Sequence, residues 1–328
     1  MPHPPVDLTV IGGGPVGLFG AFYAGMRGMS VRIVDSLPEL GGQLTALYPE
    51  KHVYDMPGFP EVLAKDLARG MADQAARFHP ALVLGETAQT LVRDGEGWVV
   101  RTASGLTLPT RTLMIAAGAG AFSPTKLGVE QEGSYVGKGI HYGVRSLGDF
   151  AGKRVLVVGG GDSAFDWAIA LHEVAAEVRL VHRRDVFKAH DHTVRLAKDR
   201  GIELLLWKAV SALHGGDSLT AVTLQDTQTK ETMLVEAQSV VVNIGYKSSL
   251  GPIKDWGLEI EKGQVKVDHL LRTNLPGVFA VGDVCAYEGK LKLIATGVGE
   301  AATAVCVAKT MLDPTAKLFP WHSSDMEV

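Results

Sequence analysis

The chain has 328 residues, 46% hydrophobic and 21% charged, with a formal net charge of −4. That is the composition of a soluble globular protein with room for two cores. It excludes a collagen-like or low-complexity chain, because the 39 glycines follow no fixed period. Net acidity gives no global attraction to nucleic acid. The two cysteines, Cys285 and Cys306, form neither a CxxC pair nor a zinc-ligand spacing nor a disulfide framework, so a reducing cytoplasm and no metal are expected.

The start, MPHPPVDLTVIGGG, lacks a basic region and its apolar run is broken by glycines, so neither a signal peptide nor a membrane span is read there. No run of about 18 apolar residues occurs elsewhere. A first strand over Leu8 to Ile11 enters Gly12-Gly13-Gly14-Pro15-Val16-Gly17, and a helix-compatible stretch follows from Leu18 to Gly28. In such a G-x-G-x-x-G turn, Gly12 and Gly14 let the backbone approach a pyrophosphate. Gly17 allows close packing of helix on strand, and the helix N-terminus, opened by Pro15, offers free N–H groups. The next strand, Val31 to Val34, ends in Asp35, 23 residues after Gly12, where an acid suits a ribose diol.

The device recurs 147 residues later: Val155 to Val158 enters Gly159-Gly160-Gly161-Asp162-Ser163-Ala164. Its second strand, Val178 to Val181, ends in His182-Arg183-Arg184, again 23 residues after the first glycine. Cations there suit a 2′-phosphate through charge-assisted contacts. The first turn is therefore expected to hold FAD and the second NADP(H) in preference to NAD(H). Alternating strands and helices with glycine-rich turns predict an α/β fold, two Rossmann-like, doubly wound dinucleotide-binding domains. The FAD domain is expected over 1–118 and 250–328, with the NADP(H) domain, 119–249, inserted into it.

Further marks follow in the chain: Gly41-Gly42-Gln43-Leu44, the strand ends Ala116-Ala117-Gly118 and Ile244-Gly245, and a strand closing on Gly282-Asp283. Together these resemble the two-dinucleotide-binding flavoprotein reductases of the thioredoxin-reductase type. The stretch before the second glycine motif, where a thioredoxin reductase carries its CxxC, reads IHYGVRSLGDF and holds no cysteine. Cys285 and Cys306 read as small apolar filler, so disulfide reduction is not expected.

Longer stretches resemble the thioredoxin-reductase-like ferredoxin–NADP(+) reductases: GGQLTALYPEKHVYDMPGFP, VVGGGDSAFDWA with VHRRDVFKAH, SSLGPIKDWGLEIE, and a tail carrying Phe319-Pro320-Trp321-His322-Ser323-Ser324. The resemblance implies a flavoprotein oxidoreductase passing hydride from NADPH to FAD and single electrons to ferredoxin, or to a flavodoxin, as a homodimer. It places Gly12, Gly14, Pro15, Gly17, Asp35, Gly42 and Gln43 on FAD. Ala88 and Phe122 would touch FAD from loop positions, Asp283 would hold its ribityl side, and Thr296 would lie at the helix start facing the flavin. Tyr48 would cover one flavin face and His322 the other, with Ser323 or Ser324 at the edge. NADP(H) would be held by Gly159, Gly161, Asp162, Ser163, Ala164, His182, Arg183 and Arg184.

The segment Arg179 to Arg200 carries seven Lys/Arg against three Asp, and with Lys290 and Lys292 it reads either as steering an acidic partner or as serving NADP and solvent, with Lys198 and Arg200 read as solvated. An NAD(P)H diaphorase, reducing flavin or quinone on the same fold, is the alternative. A non-catalytic nucleotide-sensing module is the remoter one.

Overall fold

The computed structural model describes residues 3–319, and the backbone alone at 121–123 and 247–248. The chain forms two compact units. The first comprises the chain up to Ala46, Lys51–Phe122 and the chain from Ser248 on; the second comprises Leu47–Glu50 and Ser123–Lys247. The crossings run through Ala121–Pro124 and Tyr246–Ser249, which pair as a two-stranded sheet.

In the first unit the sheet order is Ala81–Leu84, Val31–Asp35, Val6–Ile11, Thr107–Ile115, Gly97–Thr102, Ala88–Asp94, with Val278–Ala280 also on Thr107–Ile115. Val6–Ile11 pairs in parallel with Val31–Asp35 on one side and Thr107–Ile115 on the other. Their apolar runs are unbroken because both faces are covered: Val10, Ile33 and Leu113 are fully buried. The helix Pro15–Met26 starts with proline at its first position, where the missing N–H costs nothing. It buries Gly17, Gly20, Ala21 and Ala24, small residues that bring its axis close to the sheet.

The second unit repeats the plan with five parallel strands in the order Ile140–His141, Ser239–Val242, Arg154–Val158, Glu177–His182, Glu203–Leu206. The strand pleat divides the core in two. Val155, Val157, Val178 and Leu180 pack on Phe165, Trp167 and Leu171 of the helix Asp162–His172. Leu156, Val158, Val181 and Val240 pack instead on Val222, Leu224 and Val235 of an antiparallel sheet, Lys208–Gly215, Leu219–Asp226 and Thr232–Glu236. Among the described residues no helix is long and apolar enough to cross a membrane, and no group of three or more His, Cys, Asp or Glu is placed to hold a metal ion.

Candidate functional site

In the first unit the glycine turn lies at the carboxyl edge of the sheet, between the two strands where the chain order reverses. Its glycines are sterically required. A Cβ at Gly17 would fall 1.9 Å from the Gly12 carbonyl oxygen, and one on Gly12 would fall 2.4 Å from the Ala116 carbonyl oxygen. Asp35 is buried, and it accepts hydrogen bonds from Gly13 N at 2.5 Å and Leu37 N at 2.8 Å. Burial pushes its carboxyl pKa up, against the lowering effect of those N–H groups. The carboxylate thus shapes the turn and keeps spare lone pairs at its edge.

The Gly41-Gly42 segment is pinned to this turn. Gly41 N donates to the Gly13 carbonyl at 2.8 Å, and a Cβ on Gly42 would reach Gly14 Cα at 2.8 Å. Gln43 then opens a short helix, Gln43–Ala46, and its amide nitrogen lies close to Gly118. From the far end of the chain the Gly282–Val284 turn and the helix Ile294–Leu312 reach the same place. A Cβ on Gly297 would lie 2.4 Å from Val16 Cγ2, and one on Gly282 would lie 3.4 Å from that same atom. Two helix N-termini and the Gly282-Asp283 turn therefore converge, and helix starts carry free N–H groups of the kind that suit an anion. Half-buried Thr296 sits in the first turn of the second helix, and half-buried Asp283 lies in the Gly282–Val284 turn.

Glu300, which the sequence reading missed, holds this arrangement. Its Oε2 accepts from Gly282 N at 2.7 Å; its Oε1 takes the Tyr287 hydroxyl at 2.6 Å and an ion pair from Lys290. The side chains of Lys290 and Glu300 are only 7% and 6% exposed. Contrary to the steering role read from sequence, Lys290 is therefore not a surface charge; Lys292 is exposed. A signal was present in principle, an acid three residues beyond Gly297 in an otherwise apolar helix, but its partner lies ten positions upstream. Cys285 donates its thiol to the Gly282 carbonyl at 3.2 Å, fully buried, and burial with the nearby Glu300 charge pushes its pKa up to about 12. That is an inert thiol.

In the second unit a Cβ on Gly159 would strike the Asn243 carbonyl oxygen at 2.3 Å and Ala164 Cβ at 2.8 Å, so strand, turn and helix are in close contact. Gly161 precedes the helix; Asp162 and Ser163 are exposed in its first turn, and Ala164 is buried beneath. The loop after His182 folds back over the turn: Lys188 N donates to the Gly160 carbonyl at 2.8 Å, and His190 N donates to Asp162 Oδ1 at 2.9 Å. Asp162 therefore fastens this loop. Arg183, Arg184 and Lys188 stand exposed on it, and Lys188 was not singled out from sequence.

His182, expected among the NADP(H) residues, packs beneath the loop that carries the two arginines. Its ring lies within 2.6 Å of where a Gly160 Cβ would be, against Phe187, with Nε2 3.1 Å from the Val186 carbonyl oxygen. Burial first, then Arg183 and Arg184, depress its pKa, so it is neutral near pH 7 and packs under the loop. Two of the seven basic residues of this segment are also consumed: Arg179 pairs with Glu177 and Glu203, and Arg200 with Glu173.

Other expectations change or fall elsewhere. Ala88 is not in a loop; it opens the strand Ala88–Asp94, buried and paired with Thr102. Tyr48 belongs to the second unit, where its half-buried ring packs against the core around Phe165 and Leu171. Phe122 lies in the crossing strand with its side chain outside the description, and His322, Ser323 and Ser324 lie outside the described residues. The chain's last described turn is tethered by Arg27, whose guanidinium donates to the Lys317 carbonyl at 2.7 Å and the Leu318 carbonyl at 3.1 Å.

Compared with known proteins, the chain matches the family described as pyridine nucleotide-disulphide oxidoreductase over residues 6–304. It is 51% identical over 321 residues to a protein of Shouchella clausii named ferredoxin–NADP reductase 2, covering 98% of this chain and 97% of that one. It is 48% identical, with the same coverage, to a ferredoxin–NADP reductase of Halalkalibacterium halodurans. Among solved structures, thioredoxin reductase of T. acidophilum superposes with a TM-score of 0.79 at 29% identity, over 94% of this chain and 99% of that one.

Proposed function

Because the chain belongs to the pyridine nucleotide-disulphide oxidoreductase family, we propose that it is a ferredoxin–NADP(+) reductase, a cytoplasmic homodimeric flavoenzyme that takes electrons from NADPH through FAD to ferredoxin. The observation that carries this reading is a contrast. Two like sheets bear like glycine turns, but the neighbouring strand ends in buried Asp35 in one and in exposed Arg183-Arg184 in the other. One edge suits a free ribose diol and the other a 2′-phosphate. The CxxC of the thioredoxin reductases is missing, and Cys285 is buried and inert, which argues against thiol relay; the ferredoxin–NADP reductases that the chain resembles favour a one-electron carrier as acceptor.

The residues around the first turn fit FAD: a Cβ on Gly14 would meet only Gly42 Cα, at 3.8 Å, so the turn leaves its backbone open there beside buried Asp35. Gly12 and Gly14 with the helix starting at Pro15 would take the pyrophosphate, Asp35 the adenosine ribose, Asp283 the ribityl chain, and the helix start at Thr296 the flavin ring edge. Bound FAD supplies a ring that accepts two electrons as hydride and gives them up singly. The protein contributes binding, orientation and electrostatics: the positive end of helix Ile294–Leu312 favours negative charge beside it. His322, with Ser323 or Ser324, is assigned to covering the ring and excluding water. Arg183, Arg184 and Lys188 hold the 2′-phosphate side of NADP(H), and with exposed Arg195 they give the second unit basic charge that can attract an acidic partner.

Replacing both Arg183 and Arg184 with Ala should raise KM for NADPH far more than for NADH; equal effects would sink the assignment. Ferredoxin reduction should slow with rising ionic strength, and a flat profile would argue for a diaphorase. Truncation after Phe319 should change hydride transfer; an unchanged rate would remove the tail from the mechanism.

A further inference from the structure

One group beside the second glycine turn has no role in what precedes. Asn243 follows directly on the strand Ser239–Val242, and its backbone N–H donates to the Val158 carbonyl at 2.7 Å, so it stands at the carboxyl edge of the sheet. Its own carbonyl oxygen is the atom a Cβ on Gly159 would strike, which sets it against the first glycine of the turn. Its side-chain amide nitrogen is buried and has no hydrogen-bond partner among the described residues. A buried amide N–H without an acceptor is costly, and such orphans in a folded protein call for an explanation.

The topology supplies one. From Arg154–Val158 the chain winds outward to Glu177–His182 and Glu203–Leu206 on one side, whereas Ser239–Val242 lies on the other. The seam between Arg154–Val158 and Ser239–Val242 is thus the point where strand order reverses, and in open α/β sheets ligands bind outside the carboxyl ends at that point. Arg183 and Arg184 follow the strand on the outward side. A dinucleotide with its 2′-phosphate at those arginines crosses Gly159 and brings its other half to Asn243.

We propose that Asn243 is a binding residue for NADP(H), donating its amide N–H to an oxygen of the nicotinamide-ribose phosphate half; this rests on the reading that the second unit binds NADP(H). The orphan donor in the free protein is then a group kept in place for the ligand's acceptor.

The test is calorimetric titration of the purified holoprotein with NADP(+) and with 2′,5′-ADP, which carries the adenine, the 2′-phosphate and one 5′-phosphate but no nicotinamide half. Asn243→Asp replaces the donor with a negative charge of the same shape, and should weaken NADP(+) binding about tenfold or more while leaving 2′,5′-ADP within about twofold. Asn243→Ala should weaken NADP(+) in the same selective way while lowering the melting temperature of the free protein little, because the amide nitrogen it removes has no partner there. The double Arg183→Ala, Arg184→Ala variant should weaken both ligands. Unchanged NADP(+) affinity in Asn243→Asp, an equal loss for the two ligands, or a markedly destabilised free Asn243→Ala protein would overturn the proposal. If the unmodified protein bound neither ligand, the reading of the second unit would fail first and the proposal with it.

Discussion

Replacing Glu300 with Ala tests whether the buried polar hub, rather than apolar packing alone, fixes the Gly282-Asp283 turn. Three donors lose their acceptor at once: Gly282 N, the Tyr287 hydroxyl and the Lys290 ammonium. Both members of the ion pair are more than nine-tenths buried as side chains, so solvent screening gives little relief. Breaking a buried pair by removing one partner costs about 3–5 kcal/mol. An orphaned buried N–H such as that of Gly282 costs about 1–3 kcal/mol. The two overlap, because Tyr287 and Lys290 can turn toward water, so about 4 kcal/mol is expected, roughly a thousandfold in the unfolding equilibrium.

For a unit of this size that lowers its melting temperature by roughly 8–16 °C, read by circular dichroism at fixed protein and FAD concentration. The double variant Glu300→Leu, Lys290→Met restores shape without charge, and should recover at least half of the loss, as buried pairs exchanged for apolar groups commonly do. Glu300→Gln should lower the Cys285 pKa and speed its alkylation, since the carboxylate is one cause of its elevation. A melting shift under about 3 °C for Glu300→Ala, or a double variant no better than the single one, would refute the reasoning.

Gly17→Ala places a Cβ 1.9 Å from a backbone oxygen that cannot rotate away, so a loss of at least about 2 kcal/mol and a much weakened FAD affinity are expected by fluorescence titration. His182 has a depressed folded pKa, so its stabilising contribution is present above the ordinary value of 6.5 and is lost as pH falls below it and through the folded value. The second unit should accordingly melt lower at pH 5 than at pH 8, and His182→Gln should flatten that slope; an identical slope would assign the effect elsewhere, His141 being the next candidate because burial and Lys153 depress it too. Arg27→Ala removes the guanidinium from the Lys317 and Leu318 carbonyls, and faster amide exchange over 314–319 should follow, with the sheet amides unchanged.

Local chain chemistry was enough to locate both glycine turns, the acid and the arginines that end the neighbouring strands, and the alternation of strands and helices. These features repeat at short range, where backbone freedom, side-chain size and hydrophobic period act within a few residues. The missing CxxC was equally legible, because an absence in a strip of sequence needs no tertiary context. Tertiary structure alone decided which charges face solvent. Lys290 and Lys292 are two residues apart, yet one is locked on buried Glu300 and the other is exposed. His182 adjoins two arginines, but its ring packs over Gly160 and burial lowers its pKa. Ala88 became a strand residue through pairing with Thr102, 14 positions away, and Asn243 gained its meaning only from the sheet order that sets it beside Gly159. In each case burial and partners come from segments distant in the chain, and charge state and hydrogen bonding follow from those contacts rather than from residue type.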